Sequence, residues 1–281
     1  MNLYGNYFKK IRKRRGFTLK QVSNGIVPPS SISRFENGES DMYFGNVVSA
    51  LGHMGSSLEE LLTELDELND AYYIDSIKLI ISEQNVKKLI TIKNHHISMF
   101  EVANNPLDAA LYKLARIHIN HLQNIKINQS DLDDLNDFLF ASEDWGEFEY
   151  YIFGIIAEFL NTKTLINYSE NIFYGEKKFR LSSISDVALS SVLHTIFLLI
   201  IRNEITNAKY FLDNIEQITI NADILSDRII YSFYREITEY KIRDQKIPDF
   251  NELKTINSLK ELKINWLNSE LNNLYSSIVN K

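Results

Sequence analysis

Arg34 stands close behind Ser30 and Ser31, and all three follow a Pro28-Pro29 pair. Their chemistry suits a duplex. A guanidinium can fork onto guanine or hold a phosphate, and a serine hydroxyl donates or accepts at base edges. Ile32 and Phe35, three apart, give the same short segment an apolar face if it is helical, which leaves Pro29, Ser30, Ser31 and Arg34 outward. A recognition helix needs that division, with one side in the major groove and the other on a scaffold. The charge distribution points the same way. Residues 1–35 carry eight basic side chains (Lys9, Lys10, Arg12, Lys13, Arg14, Arg15, Lys20, Arg34) and no acidic one. The rest of the 281-residue chain therefore holds −15 against a net charge of −7. A small basic head on an acidic body keeps phosphate attraction local. A run such as Lys9 to Arg15 is equally consistent with a solvated helix face.

The elements that would position these groups are short helices. Residues 3–15 read as a helix with Tyr7, Phe8 and Ile11 on one side and Gly16 as its stop. Thr18 and Gln21 form a capping box for a second helix with Leu19 and Val22 inward. Proline is tolerated in a first helical turn, so Pro28-Pro29-Ser30 opens a third helix that runs through Glu36 and ends at Asn37-Gly38. A fourth is expected over residues 42–53, with Phe44, Val47, Val48 and Leu51 inward. A fifth begins at SSLEELLTEL, capped by Ser56 or Ser57. From about residue 70 helix follows helix, glycine is scarce and no strand alternation lasts. Expected helix starts near Leu107, Trp145, Ile184 and Asp223 lie about 38–39 residues apart, a period that fits stacked helix pairs. The expected fold is all-α, a helix-turn-helix head over 1–65 and a right-handed, tetratricopeptide-like helical-repeat body over 66–281. A final helix is expected over about 251–278.

Several chemistries find no support. The chain has no cysteine, which removes disulfides, thiolate metal sites and cysteine nucleophiles. His118 and His121 share a helix face at i, i+3, but no further ligand stands at diagnostic spacing, so no metal is expected. Glu59-Glu60 and Asp133-Asp134 read as solvated faces, and no phosphate loop, dinucleotide fingerprint or nucleophile elbow is present. Neither an enzyme nor a cofactor is expected. The N-terminus lacks the apolar core of a signal peptide, and the longest apolar run, Ile196 to Ile201, is far short of the ~20 residues a membrane span needs. The expected location is cytoplasmic, with no membrane partner.

Two resemblances sharpen this reading. RKRRGFTLKQVSNGIVPPSSISRFENGES resembles the helix-turn-helix of lambda-repressor-like proteins, most specifically in SSISRFENG at 30–38 and in the spacing of Arg12, Gly16 and Thr18. The resemblance implies phosphate contact at Asn37, with Lys20 and Arg15 near the same backbone. It also implies an ion pair between Arg12 and Glu36, which leaves Arg12 open to either a structural role or a DNA contact. The pattern departs from the family in three places: the turn before Pro28 is one residue short and lacks the usual glycine, Pro28 stands where a Ser or Thr cap is common, and Leu19 replaces a frequent Gln. The shortened turn, together with DLNDFLFASEDWGEFEYYIFGIIAEFLN at 134–161, in which Leu139, Trp145, Gly146 and Glu149 fit well, is similar to the Rgg/GadR/MutR family.

That family implies a homodimer on double-stranded operator DNA, controlled by a short, often hydrophobic, signalling peptide bound in the repeat body, with RNA polymerase as a further partner. Two heads one helical turn apart read a palindrome that one head cannot. If the first helix of each pair lines an inner groove, the residues that would face the peptide are Tyr150, Glu158, Asn161, Arg202, Asn203, Tyr231, Tyr234 and Arg235. Asn161 could pair with a peptide amide, and Arg202 and Arg235 with a carboxylate. Ordinary core packing is the competing reading for each aromatic. Two other functions stay open: a DNA-tethered protein-interaction scaffold, and a phage-type repressor with no ligand.

Overall fold

The computed structural model describes residues 3–58, 60–61, 72–178, 186–220 and 225–280, and every regular element among them is helical. The chain forms two compact units, residues 1–72 and 73–281.

The head begins with α1 (Leu3–Arg14), α2 (Leu19–Ser23), α3 (Pro29–Glu36) and α4 (Phe44–His53). Local chemistry sets these bounds. The Thr18 Oγ1 accepts from the Gln21 amide at 3.2 Å, while the Gln21 Oε1 accepts from the Thr18 amide at 2.8 Å, so α2 starts in a capping box. Pro29 occupies the first turn of α3. Phe8, Ile11, Val22, Ile32 and Leu51 form the centre of the core, with Phe8 edge-on to Phe35 at 5.6 Å between centroids. The helices α1 and α3 cross so closely that a Cβ on Gly5 would lie 1.8 Å from the carbonyl oxygen of Phe35.

Three head expectations need correction or a boundary. The turn between α2 and α3 does hold a glycine, Gly25, in the left-handed region at φ 82°. Phe44 is 67% exposed and Val48 is exposed as well, while Ala50 and Met54 join Val47 and Leu51 in the core. The inward stripe of α4 is thus shifted toward its C-terminal end. Of the fifth helix, residues 58, 60 and 61 are helical, with the Ser57 Oγ accepting from the Glu60 amide at 3.0 Å; residues 59 and 62–65 lie outside the described residues.

The body comprises α5 (Tyr72–Ser82), α6 (Val86–Ala103), α7 (Pro106–Leu122), α8 (Gln129–Ala141), α9 (Glu147–Ile156), α10 (Thr162–Lys178), α11 (Asp186–Ile201), α12 (Ile205–Ile220), α13 (Leu225–Ile242), α14 (Lys254–Glu261) and α15 (Asn268–Val279). Asn85, Asn105 and Asn128 cap α6, α7 and α8 through their side-chain oxygens. The starts expected near Ile184 and Asp223 fall outside the described residues; α11 and α13 are described from Asp186 and Leu225. Packing joins α9 to α11 and α11 to α13, and each of α11 and α13 also packs on α12, so one apolar core runs through these helices.

The single final helix expected over about 251–278 is two helices. Lys263 adopts φ 56°, its amide donates to the Lys260 carbonyl, and the Ile264 amide donates to the Leu259 carbonyl. This hydrogen-bond pair ends a helix as a Schellman motif, with Leu259 and Ile264 both drawn into the apolar core. No described helix is long and apolar enough to cross a membrane.

Candidate nucleic-acid interface and ligand cavity

The face of α3 opposite Ile32 and Phe35 carries Pro29, Ser30 and Arg34, all exposed, with Ser31 partly so. The Arg34 guanidinium has no partner among the described residues, and neither do the ammonium groups of Lys13 and Lys20. The N-termini of α3 and α4 lack side-chain caps, which leaves backbone donors of the kind that bind phosphate. Asn37 is exposed, and its Oδ1 accepts from the Lys9 ammonium at 2.7 Å.

Other cations of the head are committed elsewhere. Arg12 donates from Nε and Nη2 to the two oxygens of buried Glu36 at 2.6 and 2.8 Å, and from Nη1 to the Phe17 carbonyl at 2.7 Å. Hydrogen bonding to Glu36 holds this guanidinium firmly in its charged form. Arg12 is therefore a brace between α1 and α3, with three of its five N–H groups on protein acceptors. Arg15 shares Glu60 with Arg14: the two guanidinium groups reach one carboxylate oxygen each, at 2.9 and 2.6 Å. Arg15 remains exposed, but its charge is half spent.

In the body, the residues expected to line a peptide groove separate into three places. Tyr150 lines a cavity of about 360 Å³ between α5, α9 and α11, together with Tyr151, Gly154, Ile155, Val187 and His194. Tyr231 and Arg235 line a second cavity of about 260 Å³ between α13 and α14, with Glu239, Arg243 and Lys254. There the Arg235 guanidinium bonds the Tyr231 hydroxyl and lies 3.3 Å from Glu216. Glu158 and Arg202 meet where α9 ends, with the Arg202 Nη2 donating to the Glu158 carbonyl at 3.0 Å. This satisfies a helix-end carbonyl and is a structural bond.

Three residues expected in the groove hold structural places. Tyr234 is 3% exposed and its ring stacks on Phe197 at 6.2 Å, so it belongs to the core. The Asn161 side-chain oxygen accepts from the Thr164 amide at 2.9 Å and caps α10. Asn203 sits at φ 59° just past α11, holding the left-handed position of a helix end.

The sequence reading missed Tyr151, Ile155, Val187 and His194. Its one usable signal was Gly154, a glycine inside a helix, where it costs roughly 1 kcal/mol relative to alanine. A Cβ there would meet only the Ser191 Oγ, at 4.0 Å. Burial pushes the His194 imidazole below its ordinary pKa, outweighing its hydrogen bond with the Gly154 backbone. The nearby Arg202 charge acts in the same direction as burial. His118, considered above as a metal ligand, lies 3.1 Å from the Glu83 carbonyl, and no metal-holding group occurs among the described residues.

The segment 134–161 builds the elbow in front of the first cavity. The Trp145 Nε1 donates to the Leu139 carbonyl at 3.1 Å, tying the approach of α9 to the last turn of α8. The Glu149 carboxylate accepts from the Gly146 amide at 2.8 Å and starts α9. The Trp145 ring then packs against Tyr150, Phe153 and Tyr168.

The described residues thus form a small helical head, with an outward polar face on α3, and a separate body of packed helices. Residues 87–273 match the family model of the C-terminal domain of the HTH-type transcriptional regulator Rgg, and the chain belongs to that family. Its fold is similar to that of the SHP pheromone receptor Rgg2 from Streptococcus dysgalactiae (TM-score 0.76, 15% identity, 97% of this chain and 98% of that one). A putative transcriptional regulator from Listeria monocytogenes EGD-e gives a TM-score of 0.80 at 19% identity, over 99% and 97% of the two chains. PrgX in its complex with iCF10 gives 0.73 at 14% identity, over 98% and 95%.

Proposed function

We propose that the protein is a homodimeric transcriptional regulator that binds operator DNA through α3 and answers to a short peptide held by the body. The observation that carries the DNA half is the uncommitted Arg34 beside Ser30 and Ser31, on the side of α3 turned away from Ile32 and Phe35. Arg34 reads base edges or clamps a phosphate, and the open ends of α3 and α4 hold the backbone. The peptide half is supported by family membership, by Rgg2 being titled a pheromone receptor, and by the structural match to PrgX with iCF10. The apolar cavity beside Tyr150 gives such a ligand a place, within the usual volume range of ~300–1,000 Å³ for ligand pockets. Self-association is supported by Leu262 and by Trp266, 64% exposed, in the connection between α14 and α15. In this reading the protein works in the cytoplasm, where its operator and polymerase are.

The test is fluorescence anisotropy on the DNA upstream of the protein's own gene, with wild type and Arg34→Ala at two salt concentrations, followed by short peptides encoded nearby. Specific, salt-dependent binding that Arg34→Ala weakens by about tenfold or more, and that a peptide shifts, is the expected result. Binding that no peptide alters would leave the body as a constitutive or partner-binding module. Equal binding by Arg34→Ala would remove α3 as the reader.

A further inference from the structure

Asparagine followed by glycine occurs twice in the chain, as Asn24-Gly25 and Asn37-Gly38, one pair on each side of α3. The pairing has a chemistry of its own. With no Cβ in the way, the glycine backbone nitrogen can close on the Cγ of the asparagine before it. Two conditions govern that attack. The side-chain amide must be free to turn toward the backbone, and the glycine N–H must be free to lose its proton. The two pairs differ in both. The Asn37 Oδ1 accepts from the Lys9 ammonium at 2.7 Å, and its Nδ2 donates to the Glu39 Oε1 at 3.4 Å. The Gly38 amide donates to the Phe35 carbonyl at 3.0 Å. Asn24 and Gly25 are instead the two central residues of a turn, closed by the Ile26 amide donating to the Ser23 carbonyl at 2.6 Å. Both are exposed, and Gly25 takes φ 82°. Neither the Asn24 side chain nor the Gly25 amide has a hydrogen-bond partner among the described residues.

We infer that Asn24 is a site of spontaneous deamidation and that the fold protects Asn37 from the same reaction. The Gly25 nitrogen bonds to the Asn24 Cγ, the Cγ–Nδ2 bond breaks, and ammonia leaves with the proton that the nitrogen gives up. Water then opens the resulting five-membered imide at either carbonyl, to aspartate or to isoaspartate. Water is the one co-reactant, and nothing is oxidised or reduced. The product puts a carboxylate at position 24, inside a stretch, residues 1–35, that has no acidic residue. The Asn24 amide donates to the Lys20 carbonyl at 3.5 Å, so the new charge stands one helical turn from Lys20. Isoaspartate also routes the main chain through the side-chain carbon, which lengthens the turn that joins α2 to α3. Resting on the reading of α3 as the DNA reader, both products lower operator affinity, and an aged chain is a weaker binder.

The test holds full-length protein in warm, mildly alkaline buffer and follows amide-to-acid exchange at both sites by mass spectrometry of timed digests. A parallel sample unfolded in guanidinium chloride gives the rates that the local sequences alone allow. In the folded protein Asn24 is expected to convert about tenfold faster than Asn37, the factor that one net hydrogen bond to be broken first provides, while in denaturant the two agree within about twofold. Equal rates in the folded protein, faster conversion at Asn37, or an Asn24 that stays intact while the unfolded chain reacts overturns the inference. A preference for Asn24 that persists unchanged in denaturant overturns the protective role of the fold. Asn24→Asp carries the product charge without ageing, and it is expected to bind operator about threefold more weakly than fresh wild type at low salt, a gap that closes at high salt. Equal binding by Asn24→Asp at low salt overturns the consequence for DNA and leaves the chemistry at Asn24 standing. Absence of specific binding by fresh wild type strikes the DNA reading itself, which the mass measurement does not depend on.

Discussion

The head and the body end their helices by the same hydrogen-bond pattern but with different residues. In the head, Gly16, Gly38 and Gly55 take positive φ just past α1, α3 and α4. In the body the same backbone position is filled by Asn124, Asn203, Asp244 and Lys263, at φ 54–59°. An L-residue with a Cβ is disfavoured there by roughly 1–2 kcal/mol, less for Asn and Asp, whose short polar side chains bond locally. The large continuous core of the body offsets that cost. The head has a small core and one very close helix crossing, at Gly5, so its backbone requirements are met with glycine. The difference teaches where function leaves its mark. The head must hold α3 at a fixed angle, and the residues that do so form a compact motif. The body needs only to stack, and many residues satisfy that.

The comparison can be broken most severely at Gly5. Gly5→Ala places a methyl group against the backbone of α3, which cannot yield as a side-chain tip would. We expect a loss of about 3 kcal/mol or more in the head, seen as a drop in its thermal unfolding temperature and a loss of specific DNA binding. An unchanged melting temperature would show that α1 and α3 can separate freely and that the head is not the rigid partner in the comparison.

A smaller effect of opposite sign is expected in the body. The Asp227 carboxyl, raised from 3.8 to about 6 by burial and by Asp186 and Glu270, holds its proton more tightly when folded than when unfolded. Its neutral form costs little below pH 4. As pH rises from about 4 through 6 the unfolded chain releases this proton first, so the folded state loses stability across that window. Asp227→Asn should therefore stabilise the body by about 1–2 kcal/mol at pH 7 and by almost nothing at pH 4, in paired urea titrations at the two pH values. A variant no more stable at pH 7 than wild type would mean that the carboxylate is solvated or paired.

The mildest test exchanges the punctuation itself. Lys263→Gly relieves a left-handed lysine and should add up to about 1 kcal/mol, while Gly16→Ala, with open space around its Cβ, should remove about the same amount from the head. Chemical denaturation of each variant reads the sign. Equal and negligible shifts would show that both units tolerate either residue at helix ends.

These contrasts explain which parts of the molecule could be read in advance. The Thr18–Gln21 box, the stop at Gly16, Pro29 in the first turn of α3 and the apolar pair Ile32 and Phe35 are local rules, in which each residue answers to neighbours three or four positions away. The break at Lys263 was not legible, because lysine is a good helix former and only the pull of Leu259 and Ile264 into the core makes it turn. Phe44 and Val48 looked inward by spacing and are exposed, since spacing gives a face but not what covers it.

By itself, then, the sequence determined a helical chain and a short third helix with Arg34 on the side away from Ile32 and Phe35, through contacts close along the chain. Tertiary structure alone decided that Tyr234 is core. It also decided which side chains border the cavity, from Tyr151 on α9 to Asp186 on α11. Those outcomes depend on which helices lie side by side, and long-range packing, unlike a cap or a turn, leaves no fixed spacing in the chain.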